Sequence, residues 1–279
     1  MNILKTELHL GLQEPLRILQ VSDCHLSACC EEDSGKAKEK SKKKTTAFLK
    51  ESGGVTQEAR FAEALELAED YDALVLTGDI ADSPSPANLQ TLASMLEGRR
   101  YLYTFGNHDY YTYDSDSGKA EDRERFLDDF LRFLPCDPTM DSMEAGGVNL
   151  VALDDSLAQF SELQLGFLKA EIAKGLPILL FLHLPLYSPT FVPKAYEWWD
   201  SSMSVGTPEE VLKEHGETDP KMPAQPATLA VLELIRTEPL IKAVFASHLH
   251  FSDEAEALGK PQFVNEPCYL NSVREILVK

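Results

Sequence analysis

The chain has no long apolar run. Its first segment, Met1 to Pro15, alternates polar with apolar residues, so neither a secretory leader nor a membrane-spanning helix is expected. Cysteine is sparse and odd in number: Cys24, Cys29, Cys30, Cys136 and Cys268 show no zinc-finger spacing. That usage argues against a disulfide framework and fits a reducing compartment, so a cytoplasmic protein is expected. Positive charge is also short, with 26 basic against 46 acidic residues and a net charge of −20. Such a field repels polyanions at long range, which disfavours nucleic acid as the main partner but leaves room for a small phosphorylated substrate. No internal repeat is found, and no protein partner is indicated.

What is present suffices for one large core. With 279 residues, 43% of them hydrophobic, residues 1–279 are expected to form a single domain. Short continuous apolar runs occur at Leu16–Val21, Ala73–Thr77, Tyr101–Phe105, Val148–Leu153, Ile178–Leu182 and Ala243–Ala246. Runs of this kind belong to strands covered on both faces. Helical periodicity lies between several of them, at Gln57–Asp70, Pro86–Glu97, Glu121–Phe133 and Ser161–Ala173. The alternation predicts an α/β layered sandwich with a mixed sheet, its N- and C-terminal ends forming antiparallel additions.

Two segments interrupt this pattern. Cys29–Gly54 (residues 29–54) is a charged insertion with Lys42, Lys43 and Lys44 in a row, and its composition predicts a mobile solvated loop beside the first polar island described next. Tyr187–Pro226 (residues 187–226) holds six prolines and the pair Trp198 and Trp199. A loop of that length is expected to be a lid or binding element, its tryptophans either stacking on a substrate base or packing onto the sheet.

Five of the seven histidines stand in short islands that each follow an apolar run. These read Ser22-Asp23-Cys24-His25, Gly78-Asp79-Ile80-Ala81-Asp82, Gly106-Asn107-His108-Asp109, His183-Leu184-Pro185 and Ser247-His248-Leu249-His250. Open α/β sheets bind ligands at the ends of their strands, so the islands are candidates for one shared metal site. In an extended strand, residues i and i+2 share a face, which lets Asp23 and His25 grip one ion while Cys24 turns inward. The same spacing allows His248 and His250 to reach different ions. Two cations about 3.5–4 Å apart need an anion between them, and Asp79, following a glycine that permits close backbone approach, is the natural bridge. Asn107 offers an amide oxygen and His183 a ring nitrogen.

The ordered set Asp-x-His, Gly-Asp-x-x-Asp, Gly-Asn-His-Asp, His and x-His-x-His is similar to that of the calcineurin-like metallophosphoesterase superfamily, over residues 22 to 250. Within it the chain resembles class III cyclic-nucleotide phosphodiesterases and related small phosphoesterases. The resemblance implies a four-layer α/β/β/α sandwich and two divalent transition-metal ions, with Mn, Fe or Zn all suited to these ligands. It implies Asp23, His25, Asp79 and His250 on the first ion, and Asp79, Asn107, His183 and His248 on the second. A metal-bridging hydroxide would attack phosphorus, with His108 protonating the leaving oxygen.

Two positions depart from the family pattern. Ser247 stands where a glycine is usual, and Asp82 stands where the purple acid branch has a tyrosine, so no Fe(III)–tyrosinate centre is expected. Asp82 is read either as a support for a ligand or as a helix cap, and Asp109 as a support for His108 in preference to a surface carboxylate. A small phosphodiester is the first expectation for the substrate, with Trp198 and Trp199 on its side of the site. A phosphomonoesterase or nucleotide pyrophosphatase shares the same motif, and a non-catalytic protein-binding scaffold is the reading from a different class.

Overall fold

In the computed structural model, which describes residues 1–31, 33–114, 120–219 and 222–279, the apolar runs become strands of two sheets, all of them inner except Tyr101–Thr104. The first sheet holds β1 (Asn2–Leu8), β2 (Leu16–Val21), β3 (Ala73–Thr77), β4 (Tyr101–Thr104) and β11 (Ser272–Val278), in the order β1-β11-β2-β3-β4. The second holds β5 (Met140–Ala145), β6 (Val148–Leu153), β7 (Ile178–Phe181), β8 (Ile241–Ala246), β9 (Asp253–Ala257) and β10 (Lys260–Val264), in the order β5-β6-β7-β8-β10-β9. Strands β2, β3 and β4 run parallel, as do β6, β7 and β8.

The uninterrupted apolar character of these strands follows from burial on both faces. Along β2 and β3, Leu19, Val21, Leu74 and Leu76 pack outward with Phe61, Leu89 and Phe130 of the helices α2 (Gln57–Leu67), α3 (Pro86–Leu96) and α4 (Ala120–Phe133). Their alternate neighbours Ile18, Ala73 and Val75 pack inward against Leu150, Phe181 and Phe245 of the second sheet. On its far side the second sheet buries Val151, Leu180 and Val244 against Leu168 of α5 (Glu162–Ala173) and Val231 and Ile235 of α8 (Pro226–Thr237). The result is the four-layer α/β/β/α sandwich. Each fully buried Leu, Ile or Phe contributes about 1.5–3 kcal/mol, so the two-sided strands supply most of the cohesion.

Helix starts follow the sequence. Ser161 and Gln164 form a reciprocal capping box on α5, while Thr56 and Ser85 cap α2 and α3. Cap duty before α3 therefore falls to Ser85 and not to Asp82.

The lysine-rich insertion is not a loop. It forms α1 (Gly35–Glu51), capped by Ser34, whose hydroxyl accepts from the N–H of Ala37. Lysine is a good helix former, and a single buried stripe through Ala37, Ser41 and Phe48 is enough to dock it. The proline-rich segment also holds two short helices, α6 (Val192–Trp199) and α7 (Glu209–Glu214). Pro193 sits in the first turn of α6, where its missing N–H costs nothing. Residue 32 of the insertion and residues 220–221 of the second segment lie outside the described residues.

The expectation for the chain ends needs one correction. β11 is antiparallel to β2 as expected, but β1 joins the sheet through β11 and runs parallel to it.

Candidate metal centre

Because β2, β3 and β4 are parallel, and β6, β7 and β8 likewise, the islands that follow β2, β3, β4, β7 and β8 gather at one edge of the sandwich. The first two are zipped together beyond their strands: the N–H groups of Asp23, His25 and Leu26 donate to the carbonyls of Gly78, Asp79 and Ile80 at 2.8–3.0 Å. The chain here is not extended. Asp23, His25, Asp79, His248 and His250 all take left-handed φ, between 49° and 70°, a region where Asp and His are enriched but costly. Asp23 and His25 thus meet through a curled turn and not through the pleat that their spacing suggested.

Space is as tightly specified as conformation. A Cβ on Gly78, whose φ is +81°, would lie 2.5 Å from the backbone nitrogen of Gly106, and one on Gly106 would lie 2.2 Å from Asp79 Oδ1. Both glycines are required by this contact. Ser247 has no positive φ, so glycine is not needed there, and its hydroxyl donates to the carbonyl of Thr77 at 2.7 Å.

Two clusters of side chains flank Asp79, and a third groups His25 with Asp82 and His108. Asp23, His25 and His250 converge in one, with Nε2 of His25 and of His250 3.3 Å apart and Asp23 Oδ1 3.5 Å from the latter. Asp79, His183 and His248 form the other, with His248 Nδ1 3.1 Å from His183 Nε2 and Asn107 Oδ1 3.3 Å from the same atom. Asp79 Oδ2 lies between them, 3.4 Å from His183 Nε2 and 3.9 Å from His25 Nε2. Ligand atoms about 3 Å apart suit an ion with bonds of about 2.0–2.2 Å. The donor set fits such ions on a further count: both oxygens of Asp23 are buried and lack a hydrogen-bond partner. A carboxylate in that state is costly unless a cation meets it.

The ring nitrogens turned away from the clusters are held. His183 Nδ1 donates to the carbonyl of Thr77 at 2.8 Å, and His25 Nδ1 lies 2.7 Å from Asp82 Oδ1, which leaves each Nε2 to face its cluster. Burial opposes charge on His183, yet Asp79 and Asp23 push its pKa up to about 10. Burial and the neighbouring His183 push His248 down to about 3. Burial works against ionised Asp79, but His183 and His108 hold it well below the usual carboxylate range.

Asp82 is fully buried between His25 and His108, whose Nδ1 lies 3.0 Å from Oδ1, and its other oxygen accepts from the Tyr113 hydroxyl. Its contacts are thus all with side chains. Asp109 is buried too, but it does not support His108. Its oxygens accept the N–H groups of Asp79, Gly106 and Ala81 at 2.8–2.9 Å and the hydroxyl of Tyr103, so it fixes the Asp79 turn. His108 contributes its own N–H to Asp79 Oδ1 at 2.7 Å, and its ring is a quarter exposed. Burial opposes its charging, but Asp79 and Asp82 raise its pKa.

The two tryptophans divide. Trp199 donates its indole N–H to the carbonyl of Leu249 and meets His250 edge-on at 5.4 Å, whereas Trp198 packs on Phe251 and Lys194. Three neighbours of the centre carried no signal in the sequence. Phe48 of α1 stacks on His25 at 5.0 Å, Met203 Sδ lies 3.3 Å from His248 Nε2, and Tyr269 OH lies 3.4 Å from His250 Nδ1. Asp155 could have been found, since it too follows a strand, β6, and its Oδ1 accepts the N–H groups of His183 and Leu184.

Comparison with known proteins bears on the family and the fold. The model of one protein family, described as calcineurin-like phosphoesterase, matches residues 16–252. A Mycobacterium tuberculosis protein named as a cAMP/cGMP dual specificity phosphodiesterase is 26% identical over 236 aligned residues, covering 78% of this chain and 62% of that protein. The chain thus spans less than two thirds of that relative's length. Among solved structures, a dimetal phosphatase from Danio rerio superposes with a TM-score of 0.50 at 14% identity, covering 92% of this chain and 89% of its own, a likeness of fold.

Proposed function

The chain belongs to the calcineurin-like phosphoesterase family, and from that premise we propose that it hydrolyses a small phosphodiester, or a related phosphorylated metabolite, at a centre of two divalent metal ions. Asp23, His25, Asp79 and His250 would hold one ion, and Asp79, Asn107, His183 and His248 the other. When bound, such a pair neutralises phosphoryl oxygens and supplies an activated water.

The protein's own residues supply the rest. Asp82, fixed by Tyr113, directs His108 Nδ1 inward and so leaves Nε2 to give a proton to the leaving oxygen. Asp109 holds the backbone of Asp79 and the N–H of His108 binds its Oδ1, an arrangement that would leave Oδ2 for both ions. Trp199, beside His250, forms one wall for the substrate. The diester preference draws on the printed name of the mycobacterial relative. Five unpaired cysteines fit a cytoplasmic protein, and among the described residues no helix is long and apolar enough to cross a membrane.

The observation that carries the reading is one oxygen, Asp79 Oδ2, within 3.9 Å of an imidazole from each cluster. The test is elemental analysis together with assays on bis- and mono-p-nitrophenyl phosphate with Mn added. Two equivalents of transition metal and faster turnover of the diester are expected. A chain that takes up no metal and cleaves neither compound sinks the proposal.

A further inference from the structure

A neutral imidazole carries one N–H and one free ring nitrogen, so a histidine that ligates through one nitrogen needs an acceptor for the other. His183 Nδ1 finds one in the carbonyl of Thr77 and His25 Nδ1 in Asp82, while His250 Nδ1 stands 3.4 Å from the hydroxyl of Tyr269. His248 is turned the other way round. Its Nδ1 faces the cluster, 3.1 Å from His183 Nε2, and its Nε2 points at Met203 Sδ, 3.3 Å away. A thioether is a weak acceptor, yet at this distance it meets the N–H of the ring.

The turn after α6 is shaped to hold this sulfur in place. Met203 takes a φ of 48°, in the left-handed region, which an unbranched apolar residue has no local reason to enter. Its neighbours fix the turn from several sides. Glu217 accepts from the hydroxyls of Tyr196 and Ser201 and from the N–H of Ser202. Thr207 bonds to the hydroxyls of Ser202 and Ser204, all three residues being buried. Val205 pairs through its backbone with Pro185 and Tyr187, just beyond the island of His183. Met203 itself packs with Phe191, Phe251 and Leu249, the residue that separates the two histidines of the last island. A strained residue so firmly fixed beside a ligand points to a function for its side chain.

Resting on the two-metal reading above, we propose that Met203 is the positioning residue of His248. Its sulfur accepts the Nε2–H, which fixes the tautomer and the ring orientation that give Nδ1 to the second ion. An aliphatic side chain would fill the same space but leave the N–H without an acceptor and the ring free to turn over. Ser202, Ser204, Thr207 and Glu217 then serve the metal centre at one remove, by holding the backbone that carries the sulfur.

The test titrates the metal-free full chain with Mn by calorimetry. Parent protein should take up two ions, and Met203→Leu should weaken one of the two affinities about tenfold to a hundredfold, the usual loss when the outer partner of a ligand is removed. Met203→Gln brings back an acceptor in its amide oxygen and should recover most of that loss. A role in packing alone reverses the order, because leucine suits the apolar surroundings of Met203 better than glutamine does. In a His248→Ala background, Met203→Leu should have no further effect on metal binding. An NMR spectrum of the imidazole nitrogens in zinc-loaded parent protein, which needs no variant to fold, should show His248 ligating through Nδ1 with its proton on Nε2. Parent-like affinity in Met203→Leu, a loss in Met203→Gln as large as in Met203→Leu, an undiminished loss in the His248→Ala background, or ligation through Nε2 overturns the inference and leaves the two-metal reading standing. A parent that binds fewer than two ions overturns both.

Discussion

Asp109 Oδ2 accepts the backbone N–H of Asp79 at 2.9 Å, so one buried carboxylate holds in place the turn that displays another. Together its two oxygens take three backbone N–H groups and the Tyr103 hydroxyl. Asp109→Ala orphans all four donors, each at a cost of about 1–3 kcal/mol when buried. Chemical denaturation should show a loss of at least about 3 kcal/mol, and the remaining folded protein should bind Mn more weakly. Asp109→Asn should be intermediate, since an amide NH₂ then opposes N–H donors. Parent-like metal affinity in both variants would contradict this role.

Metal uptake should release protons. Asp79 and Asp23 outweigh burial and raise His183 to about 10 in the metal-free chain, yet an imidazole must be neutral at the nitrogen that ligates. Burial and the Asp79 charge likewise push Asp109 up to about 7, and cations on Asp79 would offset the second of these causes. Affinity should therefore fall as pH falls, by about tenfold per pH unit for each proton displaced. Calorimetry in buffers of different ionisation enthalpy measures that release, and a Kd indifferent to pH would refute it.

Asp155 offers a separate pH test. Burial pushes its carboxyl up to about 8, against the nearby His183 and the N–H of Leu184. The unfolded carboxyl titrates near about 3.9, so the native state holds its proton the longer. This contribution to stability is complete below about pH 4 and is lost as pH rises to about 8. Asp155→Asn keeps a carbonyl oxygen for His183 and Leu184 and cannot ionise. Relative to parent, the variant should gain on the order of 1–3 kcal/mol across that window in metal-free unfolding measurements. A difference that does not change with pH would show that Asp155 titrates normally.

His108→Ala should keep its metal content and lose about 10²–10⁴ in kcat on a diester with an alkyl leaving group, and much less on bis-p-nitrophenyl phosphate, whose nitrophenolate departs without a proton. Its ring stands with Asp82 and His25 in a third group of possible ligands, outside the two clusters that flank Asp79 Oδ2. Loss of metal together with activity would move His108 from proton donor to ligand.

The sequence displayed the inner strands because they are buried on both faces and so read as unbroken apolar runs, as at Val148–Leu153. It hid β9, whose mixed burial leaves polar residues such as Glu254 on exposed positions, and gave the wrong direction for β1. Helix α1 was missed because lysine marks solvated loops and helices alike, and its docking rests mainly on Phe48. The ligand set was legible because metal chemistry restricts which residues can stand at each strand end. What surrounds it was less so. Asp109 follows His108 in sequence but serves Asp79 in space, and Tyr269 reaches His250 only because the chain folds back after β10.

Strand β11 lies between β1 and β2, paired in parallel with β1 from Asn2↔Ser272 to Leu8↔Val278. The first sheet therefore cannot close until residues 272–278 have emerged from the ribosome, and β1 waits without its neighbour while the intervening residues are made. Such long-range closure slows folding and exposes a strand to mispairing. A nascent chain of this protein should depend on chaperone shelter until residue 278 has left the exit tunnel.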